Sequence, residues 1–256
     1  MPIFDSRGVR IHYEDHGAGA PVMLVHGFGT SARRDWGDTG LIEFLATRYR
    51  VIAPDHRGHG RSDKPHERER YGMGNMSGDL AGLLDHLGIR RTLLAGYSMG
   101  SRISLELILG YPARIRAAVL GGFGGNGAMS VPGQRQRIAA MLASDDPDAP
   151  HAAGHTDDLP RRFRRGVERP GNDLKALAAC MGAEETMRDL SGPARVAVPV
   201  LLLAGTRDRI VGDPHGMTPF FSDAQVLRID GADHLSAPAD RRFREAIAEY
   251  FAHAPA

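Results

Sequence analysis

The chain has a single cysteine, Cys180, among its 256 residues, so it cannot form an internal disulfide bond. It also lacks an excess of either charge, because 32 lysines and arginines are matched by 31 aspartates and glutamates. A chain so close to neutral has no overall field that would collect nucleic acid. We therefore expect no nucleic-acid partner, and the single thiol is compatible with a reducing compartment.

Long apolar runs are missing as well. No stretch approaches the roughly 20 apolar residues that a membrane helix needs. Residues 1–5 lack the charged start and apolar centre of a secretory signal. We expect a cytoplasmic protein with no membrane partner, and the length suits one α/β domain with a sizeable core.

Short apolar runs recur along the chain and predict the strands of a sheet. Residues 9–14 and 225–230 alternate apolar and polar side chains, as strands with one exposed face do. A turn at residues 6–8 predicts a short first strand. Continuous apolar runs, which suit parallel strands covered on both faces, occur at residues 21–25, 50–53, 92–95, 117–120 and 199–204.

Helical spacing separates these runs, at residues 41–49, 76–87, 103–109 and 241–251. The alternation predicts an α/β fold, with a mostly parallel, twisted, eight-stranded sheet and helices on both faces. Residues 124–194 break the pattern, since they contain helical pieces at 134–142 and 173–181 but no strong apolar strand. We interpret them as a helical cap inserted into a core of residues 1–123 and 195–256.

The loops that follow the apolar runs are the candidate sites, because ligands of such sheets bind beyond the carboxyl ends of the strands. Each of these loops combines glycine with polar residues. Their sequences are HGFG at 26–29, DHRGHGRSD at 55–63, GYSMG at 96–100, GTRD at 205–208 and GADH at 231–234. In the third, Ser98 stands between two glycines where a predicted strand passes into a predicted helix.

On these motifs the sequence resembles the α/β-hydrolase superfamily, in its serine-esterase-like branch. The resemblance covers nearly the whole chain apart from the cap. Its specificity lies in the order of the motifs: HG-x-G, D-x-R-G-x-G-x-S, G-x-S-x-G, an acid and a histidine. It implies the α/β-hydrolase fold and a serine hydrolase whose catalytic residues follow the chain order Ser, Asp, His.

The candidate catalytic residues are Ser98 as nucleophile, His234 as base and Asp208 as acid. A serine hydroxyl needs an adjacent base, histidine titrates near neutrality, and a carboxylate fixes the histidine tautomer. The alternative for Ser98 is a simple helix cap. His234 is chosen among twelve histidines because it alone lies between the last predicted strand and the last helix.

Two other carboxylates compete with Asp208. Asp213 lies in the same loop, and Asp233 adjoins the base, although neighbouring side chains at a loop corner generally diverge. The resemblance places the acid where Asp208 stands. The family's variant position, near Leu120, is followed here by two glycines at 121–122 and carries no carboxylate.

The resemblance also implies an oxyanion hole formed by the backbone N–H groups of Phe28 and Met99. The candidate substrate-binding residues are Trp36, Tyr97 and Phe163. Trp36 and Tyr97 are residue types that more often pack in a core than contact a substrate. The arginine-rich run at 161–165 is either a solvated helix face or a dock for an acidic substrate group.

We expect neither a metal nor another cofactor. Residues 55–59 carry an aspartate and two histidines but lack the spacing of a hydrolytic metal site. No G-x-G-x-x-G motif follows a strand in a dinucleotide-binding context. The expected partner is therefore a small-molecule substrate: an ester, a lactone or a related acyl compound. Whether the chain forms a homo-oligomer is left open.

Other activities on the same frame are weighed by single residues. Carbon–carbon bond hydrolysis and a slow-turnover binding protein or receptor both remain alternatives. Epoxide hydrolases and dehalogenases of this superfamily need a carboxylate nucleophile, and Ser98 disfavours both. The haloperoxidase-like branch usually has proline where this chain has Gly29, which weakens that interpretation.

Overall fold

The computed structural model describes residues 2–146, 158–183 and 196–255. Within them the backbone forms one sheet of eight strands. The strands are β1 (Ile3–Asp5), β2 (Arg10–His16), β3 (Ala20–Val25), β4 (Tyr49–Pro54), β5 (Thr92–Tyr97), β6 (Ile115–Gly121), β7 (Val200–Gly205) and β8 (Ala224–Ile229). Their spatial order is β1-β2-β4-β3-β5-β6-β7-β8. The pairs β1–β2 and β2–β4 are antiparallel and the others parallel, which confirms the predicted fold class.

The α-helices of the described ranges are α1 (Leu41–Ala46), α2 (Met73–His86), α3 (Met99–Gly110), α4 (Gln134–Ala143), α5 (Leu159–Val167), α6 (Leu174–Gly182) and α7 (Arg241–Ala252). Several bounds differ from the prediction, and two of the differences have a clear physical reason. Helix α3 begins at Met99 rather than at 103, because its first turn contains glycine and serine and shows no apolar spacing. Helix α1 ends at Ala46, because Tyr49 already pairs with Ala20 in the sheet.

Helices cover the sheet on both faces, and the central strands β5 and β7 are buried at every position. The helices thus form two layers with the sheet, one on each face, and these layers contain most of the hydrophobic core. Burying one large aliphatic side chain there stabilises the fold by about 1.5–3 kcal/mol. The α2–α3 layer contributes Met76, Leu80, Leu83, Ile103 and Leu107. The α1–α7 layer contributes Leu41, Ile42, Leu45, Phe243, Ile247 and Phe251. No helix in the described part of the chain is long and apolar enough to cross a bilayer.

Helices α4, α5 and α6 lie in the segment interpreted as a cap, and they share a small core of their own. Its buried members include Ile138, Leu142, Val167, Leu177 and Met181. Residues 147–157 and 184–195, and with them the predicted boundary at 194–195, lie outside the described residues. The division into core and cap therefore stays a prediction.

The arginine-rich run lies on α5, and Arg164 is the member that fits neither interpretation of the run. The residue is only 5% exposed. Its guanidinium donates to the backbone carbonyl of Met141 at 2.8 Å and also to that of Ser144. Arg164 therefore ties α5 to the end of α4, so it neither faces solvent nor offers its charge to a substrate. Its neighbours Arg162 and Arg165 are exposed.

Candidate active site

Ser98 occupies a strained turn between β5 and α3. Its φ of 53° and ψ of −114° lie outside the regions that non-glycine residues favour, and such strain costs on the order of 1–3 kcal/mol. Both flanking glycines are needed for close approach. A Cβ on Gly100 would lie 2.0 Å from the carbonyl oxygen of Val25, and a Cβ on Gly96 would lie 2.6 Å from that of Gly100. The turn therefore lifts the serine out of the sheet.

Three residues far apart in sequence meet at this turn. The imidazole of His234 lies with Nε2 at 2.9 Å from Ser98 Oγ and with Nδ1 at 2.7 Å from Asp208 Oδ2. The Asp208 side chain is fully buried, and its Oδ1 atom accepts the N–H groups of Ile210 and Val211. An ionised carboxylate accepts from Nδ1–H, so Nε2 is left to accept the serine proton.

The competing carboxylates are engaged elsewhere. Asp213 accepts the backbone N–H of His215 at 3.0 Å and lies 2.8 Å from Nδ1 of the same residue. Asp233 accepts the N–H and the hydroxyl of Ser236 at 2.9 and 2.8 Å. Of the three aspartates considered from the sequence, Asp208 is the one that the structure places against the imidazole of His234.

The loop after β3 places Phe28 beside the nucleophile turn. His26 shapes this loop, because its Nδ1–H donates to the carbonyl of Gly27 at 2.7 Å and its Nε2 accepts the N–H of His56 at 3.0 Å. Neither the Phe28 N–H nor the Met99 N–H donates a hydrogen bond to any residue that the structure describes. Both amides therefore remain available to an external acceptor.

Residues 167–172 cover this loop from the cap side. The Asn172 side chain donates to the carbonyl oxygens of Gly29 and Val167, both at 2.8 Å. Gly29 has a φ of +69°, and a Cβ there would lie 2.2 Å from Val167 Cγ1. Proline, whose ring fixes φ near −65°, could not adopt this conformation.

The three aromatic candidates lie in three different environments. Trp36 is fully buried and stacks on Phe243 in the α1–α7 layer, so it belongs to the core and does not line a pocket. Tyr97 is buried behind the base, and its hydroxyl donates to a backbone carbonyl of that loop. Phe163 is half-buried on α5, with its ring 6.5 Å from that of Phe28. Phe163 is thus the candidate that faces the loop of the nucleophile site.

Sequence reasoning missed Asp35, which lies against the same loop. Its Oδ2 accepts the N–H of Gly27 at 2.8 Å and its Oδ1 accepts the hydroxyl of Thr30 at 2.8 Å. Burial raises the pKa of the Asp35 carboxyl, against the opposing effects of His26 and of these hydrogen bonds. The sequence holds no motif for this residue beyond its place a few positions after HGFG.

The histidines of the loop after β4 are packing groups. His26, His56 and His59 lie with ring centroids 4.4–6.3 Å apart. Burial lowers the pKa of His59 to about 3 and that of His56 well below its usual value, so both rings are neutral. Within residues 2–146, 158–183 and 196–255, no group of three or more side chains could hold a metal ion.

The family model described as alpha/beta hydrolase fold matches residues 20–238. Among curated proteins, epoxide hydrolase 3 of Siraitia grosvenorii is 36% identical over 115 residues, which are 45% of this chain and 36% of that protein. The 2-hydroxy-6-oxo-2,4-heptadienoate hydrolase of Pseudomonas putida is 39% identical over 117 residues, which are 45% of this chain and 41% of that protein. The chain thus spans less than half the length of these curated relatives.

Among solved structures, a thermophilic esterase from Thermogutta terrifontis is 27% identical, with a TM-score of 0.75. The likeness covers 98% of this chain and 96% of the esterase. The likeness therefore extends over nearly the whole length of both chains.

Proposed function

The chain belongs to the α/β hydrolase fold family, and on that basis we propose that it is a serine hydrolase acting on a small ester, lactone or related acyl compound. The observation that carries the proposal is the pair of contacts of His234, 2.9 Å to Ser98 Oγ and 2.7 Å to Asp208 Oδ2. They match the reach that proton transfer and tautomer control require.

In the acylation step, Ser98 Oγ bonds to the acyl carbon while His234 Nε2 takes the hydroxyl proton. The carbonyl electron pair moves onto oxygen, and the N–H groups of Phe28 and Met99 stabilise the resulting oxyanion by donating hydrogen bonds to it. When the oxyanion collapses, the bond to the leaving alcohol breaks, and His234 returns the proton to that alcohol. Removing a single such amide donor from an oxyanion hole typically costs about 10²–10³-fold in kcat.

In the deacylation step, His234 takes a proton from water, and the resulting hydroxide attacks the acyl-enzyme. A second oxyanion forms on the same two amides. When it collapses, the bond to Ser98 Oγ breaks, His234 returns its proton to that oxygen, and the carboxylic acid is released. Asp208 stays ionised throughout and stabilises the imidazolium that forms in each half of the cycle.

Carbon–carbon bond hydrolysis is the second candidate. It is favoured by the 39% identity to the 2-hydroxy-6-oxo-2,4-heptadienoate hydrolase of Pseudomonas putida. The 36% identity to an epoxide hydrolase is offset by Ser98, because opening an epoxide by that covalent route needs a carboxylate nucleophile. A test with 2-hydroxy-6-oxo-2,4-heptadienoate and with p-nitrophenyl acetate separates the two candidates by their relative kcat/KM.

Phosphonylation by a fluorophosphonate probe tests the common core of both candidates. The wild-type protein should label stoichiometrically, and Ser98→Ala should not. Ser104→Ala is the matched control, because the Ser104 hydroxyl is also on α3 and has no hydrogen-bond partner within the described residues. A folded wild-type protein that fails to label would contradict the proposal.

A p-nitrophenyl ester series tests the substrate range and the binding-protein alternative. We expect the highest kcat/KM on short to medium acyl groups. A binding protein or receptor would instead gain thermal stability from its ligand while its turnover stayed close to the uncatalysed rate. Highest activity on long-chain triglycerides would contradict the expected acyl preference.

A further inference from the structure

Asp35 holds the segment that carries the proposed oxyanion donor Phe28. One carboxylate oxygen accepts the Gly27 N–H and the other accepts the Thr30 hydroxyl, each at 2.8 Å. The residue before Phe28 and the residue two positions after it are therefore tied to the same group. Hydrogen bonds to a carboxylate are stronger than those between neutral partners, so this tie is stiffer than an ordinary turn.

The same carboxylate lies next to the nucleophile. A Cβ built on Gly27 would lie 3.5 Å from Asp35 Oδ2 and 3.7 Å from Ser98 Cβ. Asp35 and Ser98 therefore both lie close to Gly27. Asp35 stands in the π-helix Arg33–Gly37, a type of turn that is frequent at functional sites.

Three backbone groups on either side of the Phe28 N–H are anchored by hydrogen bonds. The Gly27 N–H is held by the carboxylate, the Gly27 carbonyl by the His26 ring, and the Gly29 carbonyl by Asn172. Among the described residues, the Phe28 N–H has no acceptor. The Phe28 N–H is thus presented by a loop in which these three neighbouring groups cannot rotate without breaking a bond.

We propose that Asp35 is a positioning residue for the oxyanion hole, holding Gly27 so that the Phe28 N–H faces the acyl oxygen of a substrate on Ser98. The inference rests on the proposed serine-hydrolase function. Donors fixed in advance accelerate the reaction because they need no reorganisation during it. A displacement of about 1 Å can cost roughly 100-fold in rate.

The test compares Asp35→Ala with Asp35→Asn, using p-nitrophenyl acetate as the probe. Alanine removes the acceptor, whereas the asparagine carbonyl can accept from Gly27 while its amide donates to Thr30. The matched control is Asp38→Ala. Asp38 lies near the same turn, but its side chain is 56% exposed and pairs with Arg33.

We expect kcat to fall about 10–100-fold in Asp35→Ala, with KM changed less than about threefold. Asp35→Asn should recover most of kcat, and Asp38→Ala should match the wild type. A kcat of Asp35→Ala equal to that of the wild type would overturn the proposal. An equal loss in Asp35→Asn and Asp35→Ala would also overturn it, since charge rather than hydrogen bonding would then be responsible.

A second measurement keeps this test separate from the proposed function. Hydrogen exchange of the Gly27 and Phe28 amides, followed by NMR, should be faster in Asp35→Ala than in Asp38→Ala. If the wild type neither labels nor turns over ester, the serine-hydrolase proposal fails. If amide exchange in Asp35→Ala is unchanged, the proposal that Asp35 anchors this loop fails independently. If Asp35→Ala does not fold, Asp35→Glu replaces it. The longer side chain of glutamate keeps the carboxyl group but displaces its oxygen atoms. A kcat of Asp35→Glu equal to that of the wild type would overturn the proposal.

Discussion

The hydroxyl of Tyr97 donates a 2.6 Å hydrogen bond to the backbone carbonyl of His234, 137 positions later in the chain. Its ring centroid lies 5.3 Å from that of the same histidine. The residue directly before the proposed nucleophile thus supports the loop of the proposed base. The two loops that must stay in register are joined by one side chain.

Replacing Tyr97 by phenylalanine keeps the ring and removes this bond. We expect the free energy of unfolding to fall by about 1 kcal/mol, the usual net contribution of a hydrogen bond, and kcat to fall several-fold because the base is held less firmly. Thermal melts and ester turnover measure the two effects. Tyr111→Phe is the control, since Tyr111 is 43% exposed. Equal kcat in both variants would contradict the support role.

Asp208→Asn should lower kcat by about 10³–10⁴-fold, because an asparagine no longer enforces the tautomer in which Nε2 of the base accepts a proton. Steady-state turnover on a short p-nitrophenyl ester measures the loss. Asp213→Asn, in the same loop, should leave kcat within about twofold, because Asp213 contacts His215 instead. Comparable losses of kcat in the two variants would contradict the proposal that Asp208 is the catalytic acid.

Gly100→Ala should abolish labelling by a fluorophosphonate and strongly destabilise the protein. The added methyl would lie 2.0 Å from the backbone oxygen of Val25 and 2.6 Å from that of His26, and backbone cannot yield as a flexible side chain can. Gly74→Ala, on α2, meets no atom within 4 Å and should be stabilising by about 0.5–1 kcal/mol through helix propensity. Urea titration distinguishes the two; a Gly100→Ala protein as stable as the wild type would contradict the packing argument.

The order of elements could be predicted from the sequence because each strand of the central sheet is a continuous apolar run that needs cover on both faces. The site residues at the strand ends followed from topology, since parallel strands bring the loops after β5, β7 and β8 to one edge. Ser98 and His234 stand in such loops. Their separation of 2.9 Å is a result of folding that spacing alone did not give.

Other features depend on contacts that sequence patterns do not encode. An arginine on helix α5 indicated a surface position, but Arg164 is only 5% exposed. Its guanidinium binds carbonyl groups at the end of α4. Asp35 has no periodic or motif signal, and its importance arises from a contact with Gly27 eight positions earlier. Trp36 was a candidate for substrate binding, yet it packs in the hydrophobic core against Phe243.

Lowering the pH from 7 to 5 should reduce the free energy of unfolding. Burial lowers the pKa of His59 to about 3 and that of His56 well below 6.5. The unfolded chain therefore binds more protons than the folded one below about pH 6.5, and stability is lost as pH falls from there toward the folded-state values. The limiting slope is about 1.4 kcal/mol per pH unit for each histidine.

Denaturant titrations of His56→Leu between pH 7 and 5 test this linkage. Leucine loses no hydrogen bond from Nε2 of His56, which has no partner within the described residues. The slope of stability against pH should decrease by the contribution of one histidine. His253→Leu, which replaces an exposed histidine just after α7, is the control. A slope unaltered by His56→Leu would show that other groups cause the acid sensitivity.

The hydrogen bond from Asn172 to Gly29 and the close packing of Val167 on that glycine join residues 167–172 to the loop that carries the proposed oxyanion donor Phe28. Residues 167–172 cannot move away without either parting from Gly29 or dragging its loop along. Replacing residues 124–194 with the corresponding segment of another hydrolase would consequently change kcat as well as substrate preference, unless the new segment reproduced both of those contacts.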